Sequence, residues 1–171
     1  MAKQSYIQAN KDWLAEKAKE EGVKALPKGV YYKVLAEGDK DSLQPTRRSI
    51  VTVHYTGKTI NGKKFDSSRG GTPPAFRLSE LIEGWIIAIQ QMHIGDKWEL
   101  YIPAEMGYGK FSQPGIPGGS TLIFEIELLG IAWHSVNFPQ MASAIMHATY
   151  ASHRNSVIRT PKLNRNLVGA T

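Results

Sequence analysis

The residues in this chain with the types and spacing for chemistry are aromatic and acidic rather than nucleophilic. None of the 171 residues is a cysteine, which removes thiol nucleophiles, disulfides and thiolate metal sites together. His54, His93, His134, His147 and His153 show no HExxH or similar ligand spacing, so no metal site is expected. Gly70-Gly71 and Gly118-Gly119 lack the strand, GK[ST] and helix context of a phosphate loop and read as turns. What remains is a string of motifs: VTVHYTGK at 51–58, NGKKFDSS at 61–68, LIEGW at 81–85, GYG at 107–109 and PGIPGGSTLIFEIELL at 114–129. They contain the aromatic residues Tyr55, Phe65, Trp85, Tyr108 and Phe124 and the carboxylate of Asp66.

The elements that must position these residues follow from periodicity. Residues 5–21 are good helix formers, with Ile7, Trp13, Leu14 and Ala18 to one side, Ser5 as an N-cap and Gly22 as a stop. They predict an exposed helical arm. After Pro27-Lys28-Gly29, Val30, Tyr32 and Val34 alternate with Tyr31, Lys33 and Leu35 as in a strand. The strongest strand is 49–58, with Val51, Val53 and Tyr55 on one face and Ile50, Thr52 and a solvent-facing His54 on the other. Asn61-Gly62 predicts a tight hairpin, because both residues tolerate positive φ, and 64–67 then returns Phe65 and Asp66 to the first strand's end. A short 76–78 segment follows, then a helix at 83–92 with Trp85, Ala88, Ile89 and Met92 on one face. Two further strands alternate through Trp98, Leu100 and Ile102 and through Leu122, Phe124, Ile126 and Leu128, with a Gly/Pro-rich loop at 107–119 between them. The fold class is therefore α+β, a twisted antiparallel sheet wrapped around one short amphipathic helix. Residues 1–26 form the arm, 27–132 the main domain, and 133–171 a basic, flexible tail.

In this order and with this spacing, the five motifs resemble the FKBP family of prolyl isomerases, the immunophilins that bind macrolides such as rapamycin. The likeness covers residues 27–132, and the arm is similar to a remnant of the helical extension in some bacterial members. It implies a peptidyl-prolyl cis-trans isomerase, or rotamase, that needs no cofactor and assists protein folding. Carried over residue by residue, Trp85 forms the pocket floor. Tyr55, Phe65, Phe76 and Phe124 form the walls, completed by Leu81, Ile82 and Ile116. The Tyr108 hydroxyl and the Ile82 N–H hold substrate carbonyls, while Asp66 orients Tyr55 and polarises the bound amide. Asp66, Tyr108 and Tyr55 are then the catalytic group. Each has a plainer use as well: aromatics at strand spacing can simply be core, Asp66 can cap a turn with Ser67 and Ser68, and Tyr108 can be an ordinary loop tyrosine. Pro74 stands where many relatives have Phe, Gly71 where a basic residue is common and Gly118 where a second Pro is usual, which bears on drug affinity and peptide preference.

Charge adds little to this. The net charge is +6, but Arg154, Arg159, Lys162 and Arg165 lie in an acid-free tail, and without them 17 basic residues face 15 acidic ones. A nucleic-acid partner is therefore weakly supported. MAKQSYIQANKDW lacks the basic start and apolar run of a secretory signal, and no stretch approaches a membrane span, so a cytoplasmic protein without membrane partners is expected. The expected partners are proline-containing polypeptides and, by the resemblance, macrolides. A narrow apolar face on the arm leaves room for a weak dimer. A binding module that docks proline segments without turning them over is the competing reading.

Overall fold

The structure is a computed structural model and describes residues 2–132. The flexible-tail expectation for 133–171 and the nucleic-acid reading attached to it lie outside the described residues.

The sheet is organised around β3 (Ile50–Lys58), whose alternating β-branched and aromatic residues bury Val51, Val53 and Tyr55 on one face. One edge of β3 pairs along its whole length with β7 (Leu122–Ala132), in a register that sets Tyr55 opposite Ile126 and Gly57 opposite Phe124. The other edge is shared. β4 (Lys64–Ser67) pairs with Thr56 to Lys58, and β5 (Ala75–Arg77) pairs with Ile50 to Thr52. Beyond β7 come β6 (Lys97–Ile102), β2 (Tyr31–Ala36) and β1 (Val23–Ala25), and every pairing is antiparallel. The inner face of the sheet is filled by Leu100, Ile102, Leu122, Phe124, Ile126 and Leu128 together with the buried side of α2 (Glu83–Ile89). Gly84 sets the distance between helix and sheet, since a Cβ there would stand 2.5 Å from Ile102 Cγ2.

Four details differ from the sequence expectation. Helix α2 ends at Ile89, because Gln91 and Met92 donate to carbonyls only three residues back and tighten the chain into turns. The buried Asp96 carboxylate then collects the N–H groups of His93 and Gly38, each at 2.7 Å, and fixes the exit towards β6. The hairpin loop holds three residues rather than two, closed by Thr59 N–H to Lys63 O at 3.0 Å, and only Gly62 takes positive φ, at 83°. Asn61 serves instead as an acceptor, its Oδ1 taking the Lys63 N–H at 3.1 Å. β1 was not foreseen: its three residues are too few to show a period.

The largest difference is the N-terminal helix. α1 spans Ala2–Lys17, and Ser5 lies inside it, its hydroxyl donating back to Ala2 O at 2.8 Å rather than capping the start. The helix is not an exposed arm. It lies on the outer face of β6 and β7, where Leu14 joins Tyr101 and Ile123 in a second buried cluster flanked by Trp13, Val23 and Tyr31. Lys17 Nζ stands 5.2 Å from the Trp13 ring and 5.6 Å from that of Tyr101, a cation–π arrangement. The apolar face behind the weak-dimer expectation is thus used within the chain. No helix among the described residues is long and apolar enough to cross a membrane.

Candidate active site

The site is built where β3, β4, β5 and the start of α2 converge on the inner face. Tyr55 points into this face because it shares the parity of Val51 and Val53. Its backbone is held by Ser68: the Tyr55 N–H donates to Ser68 Oγ at 2.8 Å, and the Ser68 N–H donates to Tyr55 O at 2.9 Å. Ser68 thus bridges the gap between β4 and β5, where that edge of β3 has no strand beside it. His54 turns to the same hydroxyl, with Nδ1 2.9 Å from Ser68 Oγ, and is half-buried rather than solvent-facing.

β4 brings Asp66 back opposite Gly57, and the Tyr55 hydroxyl donates to Asp66 Oδ2 at 2.8 Å. Gly57 is a spatial necessity here. A Cβ on it would stand 2.5 Å from Phe124 Cε1 and 2.6 Å from Phe65 Cζ, and its absence lets those two rings meet edge to face at 5.5 Å. Trp85 lies fully buried behind them, at 5.2 Å from Tyr55, 5.2 Å from Phe124 and 6.2 Å from Phe76, each close to perpendicular. Such T-shaped contacts are the favoured aromatic geometry and hold the rings as a rigid box. Trp85 Nε1 is buried without a hydrogen-bond partner among the described residues.

Helix α2 supplies the polar element of this box. Ile82 precedes its first residue with extended φ and ψ, and its carbonyl accepts from the N–H groups of Trp85 and Ile86 at 3.0 and 3.2 Å. The Ile82 N–H itself has no acceptor among the described residues. The remaining parts come from the long loop before β7. Gly109, at φ 61°, directs its N–H to Ala104 O at 2.7 Å, and this turn leaves Tyr108 facing the core with 6% exposure. Gln113 and Ile116 exchange backbone bonds of 2.8 Å, folding the loop tip back so that Ile116 is buried and Gly115 lies against Phe65.

The residues picked from sequence therefore come together. Tyr55, Phe76, Leu81, Ile82, Trp85, Tyr108, Ile116 and Phe124 share one buried cluster, Phe65 packs against it, and Asp66 joins through the Tyr55 hydroxyl. Sequence reasoning missed Gly57 and Ser68. Gly57 carries a signal, since an isolated glycine inside a strand pattern marks a close approach; Ser68 reads in the sequence only as a turn residue. The Arg69 guanidinium goes to Glu127 at 2.8 Å and Glu125 at 3.4 Å on the opposite face of the sheet. The arrangement can exclude water, hold a planar amide and offer it hydrogen bonds beside a single carboxylate. Among the described residues no three His, Asp or Glu side chains converge as metal ligands.

Residues 41–129 match the family described as FKBP-type peptidyl-prolyl cis-trans isomerase. The chain belongs to this FKBP family. Residues 1–34 also match the domain that lies amino-terminal to FKBP-type isomerases, which extends the likeness through α1. Among curated FKBP relatives, the FKBP-type 22 kDa peptidyl-prolyl cis-trans isomerase of Escherichia coli K12 is 46% identical over 121 residues, covering 70% of this chain and 58% of that protein. The isomerase Mip of Coxiella burnetii is 43% identical over 112 residues, 64% of this chain and 48% of that one. The chain thus spans about half the length of the curated relatives it matches. Among solved FKBP structures, a peptidyl-prolyl isomerase of Pseudomonas syringae pv. tomato aligns with a TM-score of 0.71 at 34% identity, covering 76% of this chain and 96% of that one. FkpA from Escherichia coli gives 0.70 at 39% identity, over 76% and 61% of the two chains. The α+β fold read from periodicity is the fold these FKBP structures share.

Proposed function

We propose that this chain is a peptidyl-prolyl cis-trans isomerase that turns X-Pro bonds in polypeptide substrates without covalent chemistry. The observation that carries the reading is the closed aromatic box on Trp85, with the Tyr55–Asp66 hydrogen bond at its edge. Rotation about a prolyl bond is opposed by a barrier of about 18–20 kcal/mol that arises from amide resonance. The planar amide is more charge-separated than the twisted one, so a dry apolar box disfavours the ground state relative to the transition state. A ten-thousand-fold acceleration would need about 5.5 kcal/mol, a scale that desolvation and one or two hydrogen bonds can reach. In this reading the Ile82 N–H and the Tyr108 hydroxyl hold substrate carbonyls and Asp66 acts on the amide through its charge. The same turnover would relieve proline-limited steps in the folding of client proteins. A macrolide of the rapamycin type would compete for the box.

The test is a protease-coupled assay on a proline tetrapeptide, with and without rapamycin, using the wild type and Tyr108→Phe. Acceleration that rapamycin blocks and Tyr108→Phe reduces supports the reading. A folded wild type that binds the peptide without accelerating it would replace the enzyme by a proline-docking module. Acceleration that rapamycin leaves untouched would keep the enzyme and discard macrolide competition.

A further inference from the structure

The N-terminal helix takes no part in the aromatic box, yet its sheet-facing stripe of Tyr6, Ile7, Asn10 and Leu14 contains a buried polar residue. Asn10 is only 1% exposed. A buried amide is costly unless its hydrogen-bonding groups are met, and those of Asn10 are met mostly by one neighbour. Its Oδ1 accepts the Thr121 N–H at 2.8 Å, its backbone carbonyl accepts the Thr121 hydroxyl at 3.2 Å, and its Nδ2 donates to Tyr6 O at 2.9 Å. Two more contacts reach the same segment. Tyr6 Oη and Ser120 Oγ are 2.8 Å apart, and Gly119 approaches Ile7 so closely that a Cβ would stand 2.4 Å from Ile7 Cγ1.

Residues 119–121 are the neck of the loop that carries Ile116 and, at its opposite root, Tyr108. Gly119 N–H closes that neck on Gly109 O at 2.8 Å, and Ser120 N–H reaches Pro117 O at 3.2 Å. The neck is therefore bonded from within by the loop and from outside by α1. We propose that Asn10 is a positioning residue for the prolyl site: through Thr121 it fixes the neck of the 109–119 loop, so that Ile116 and Tyr108 stand in the pocket before substrate arrives. This rests on the isomerase reading above. Without the bond, fewer molecules carry a formed pocket, and apparent affinity falls by that fraction while bound substrate turns over as before.

The experiment measures KM and kcat on a proline tetrapeptide, together with amide hydrogen exchange, for the full chain and its variants. Asn10→Ala is expected to raise KM by about five- to tenfold with kcat within about twofold of the wild type. It should also speed exchange in 109–121 while leaving β3 and α2 unchanged. Asn10→Asp keeps an oxygen for the Thr121 N–H but loses the donor to Tyr6 O, and should restore only part of the affinity. Tyr6→Phe removes a contact from a half-buried side chain, should move KM in the same direction by less, and carries the test if Asn10→Ala does not fold. Unchanged KM and loop exchange in the variant that folds would overturn the assignment, and so would faster exchange throughout the chain with a fall in kcat. A wild type without turnover would instead remove the isomerase reading itself.

Discussion

Asp66 can act on Tyr55, on a bound amide, or on both, and the 2.8 Å bond to the Tyr55 hydroxyl makes the first of these a geometric fact. The two roles separate by substitution. Asp66→Ala removes both and is expected to lower kcat/KM about tenfold, or about 1.4 kcal/mol. Asp66→Asn keeps an acceptor for the hydroxyl and removes only the charge, so recovery in the assay assigns the residue to orientation and continued loss assigns it to electrostatics. Trp85 poses a different question, because its N–H has no partner among the described residues. Trp85→Phe is then expected to cost only the missing ring volume, about 1–2 kcal/mol in urea unfolding. A much larger loss would mean that the indole is held by more than packing. Nine of the ten candidate site residues were legible in the sequence because they sit in motifs with fixed spacing, Phe76 being the exception. Ser68 was not, because the bond that matters joins its hydroxyl to the Tyr55 backbone across a gap in the sheet that no local pattern announces.

At the scale of elements, β3 and β7 were readable because both are long enough to show a two-residue period. β1, with three residues, was not. The docking of α1 was also hidden, since a stripe of Tyr6, Ile7, Asn10, Leu14 and Lys17 looks too polar to be covered until its partners on the sheet are known. Gly57 shows how strictly β3 is specified. Gly57→Ala sets a methyl group into the Phe65 and Phe124 rings and is expected to cost about 1–3 kcal/mol by overpacking, seen as a lower unfolding midpoint. Under α1, burial together with the carboxylate of Glu99, bonded at 2.7 Å, holds the Tyr101 phenol above the ordinary tyrosine range. A pKa raised on folding contributes stability that is present below the unfolded value of about 10 and is lost as pH rises through the folded value. The wild type should therefore lose stability from about pH 10 upward, and Tyr101→Phe should lose less of it in urea midpoints compared across that range.

For the molecule as a whole, the two apolar clusters lie on opposite faces of one sheet, and α1 is bonded to the neck of a loop that serves the other face. Helix and sheet are then expected to unfold together. Trp13 reports on the outer face and Trp85 on the inner one. In single-tryptophan variants, guanidinium transitions followed at these two residues should coincide, as for a two-state unit. An earlier transition at Trp13 would make the helix a separate module.

The division of β3's second edge between two short partners has a further consequence. Strands of three and four residues close one side of the sheet, and a strand of three residues closes the other. Long unpaired edges are templates on which other extended chains add and aggregate. A protein whose proposed clients are unfolded polypeptides meets such chains continually. Short borders let it handle them through side-chain pockets without lending its backbone as the seed of a fibre.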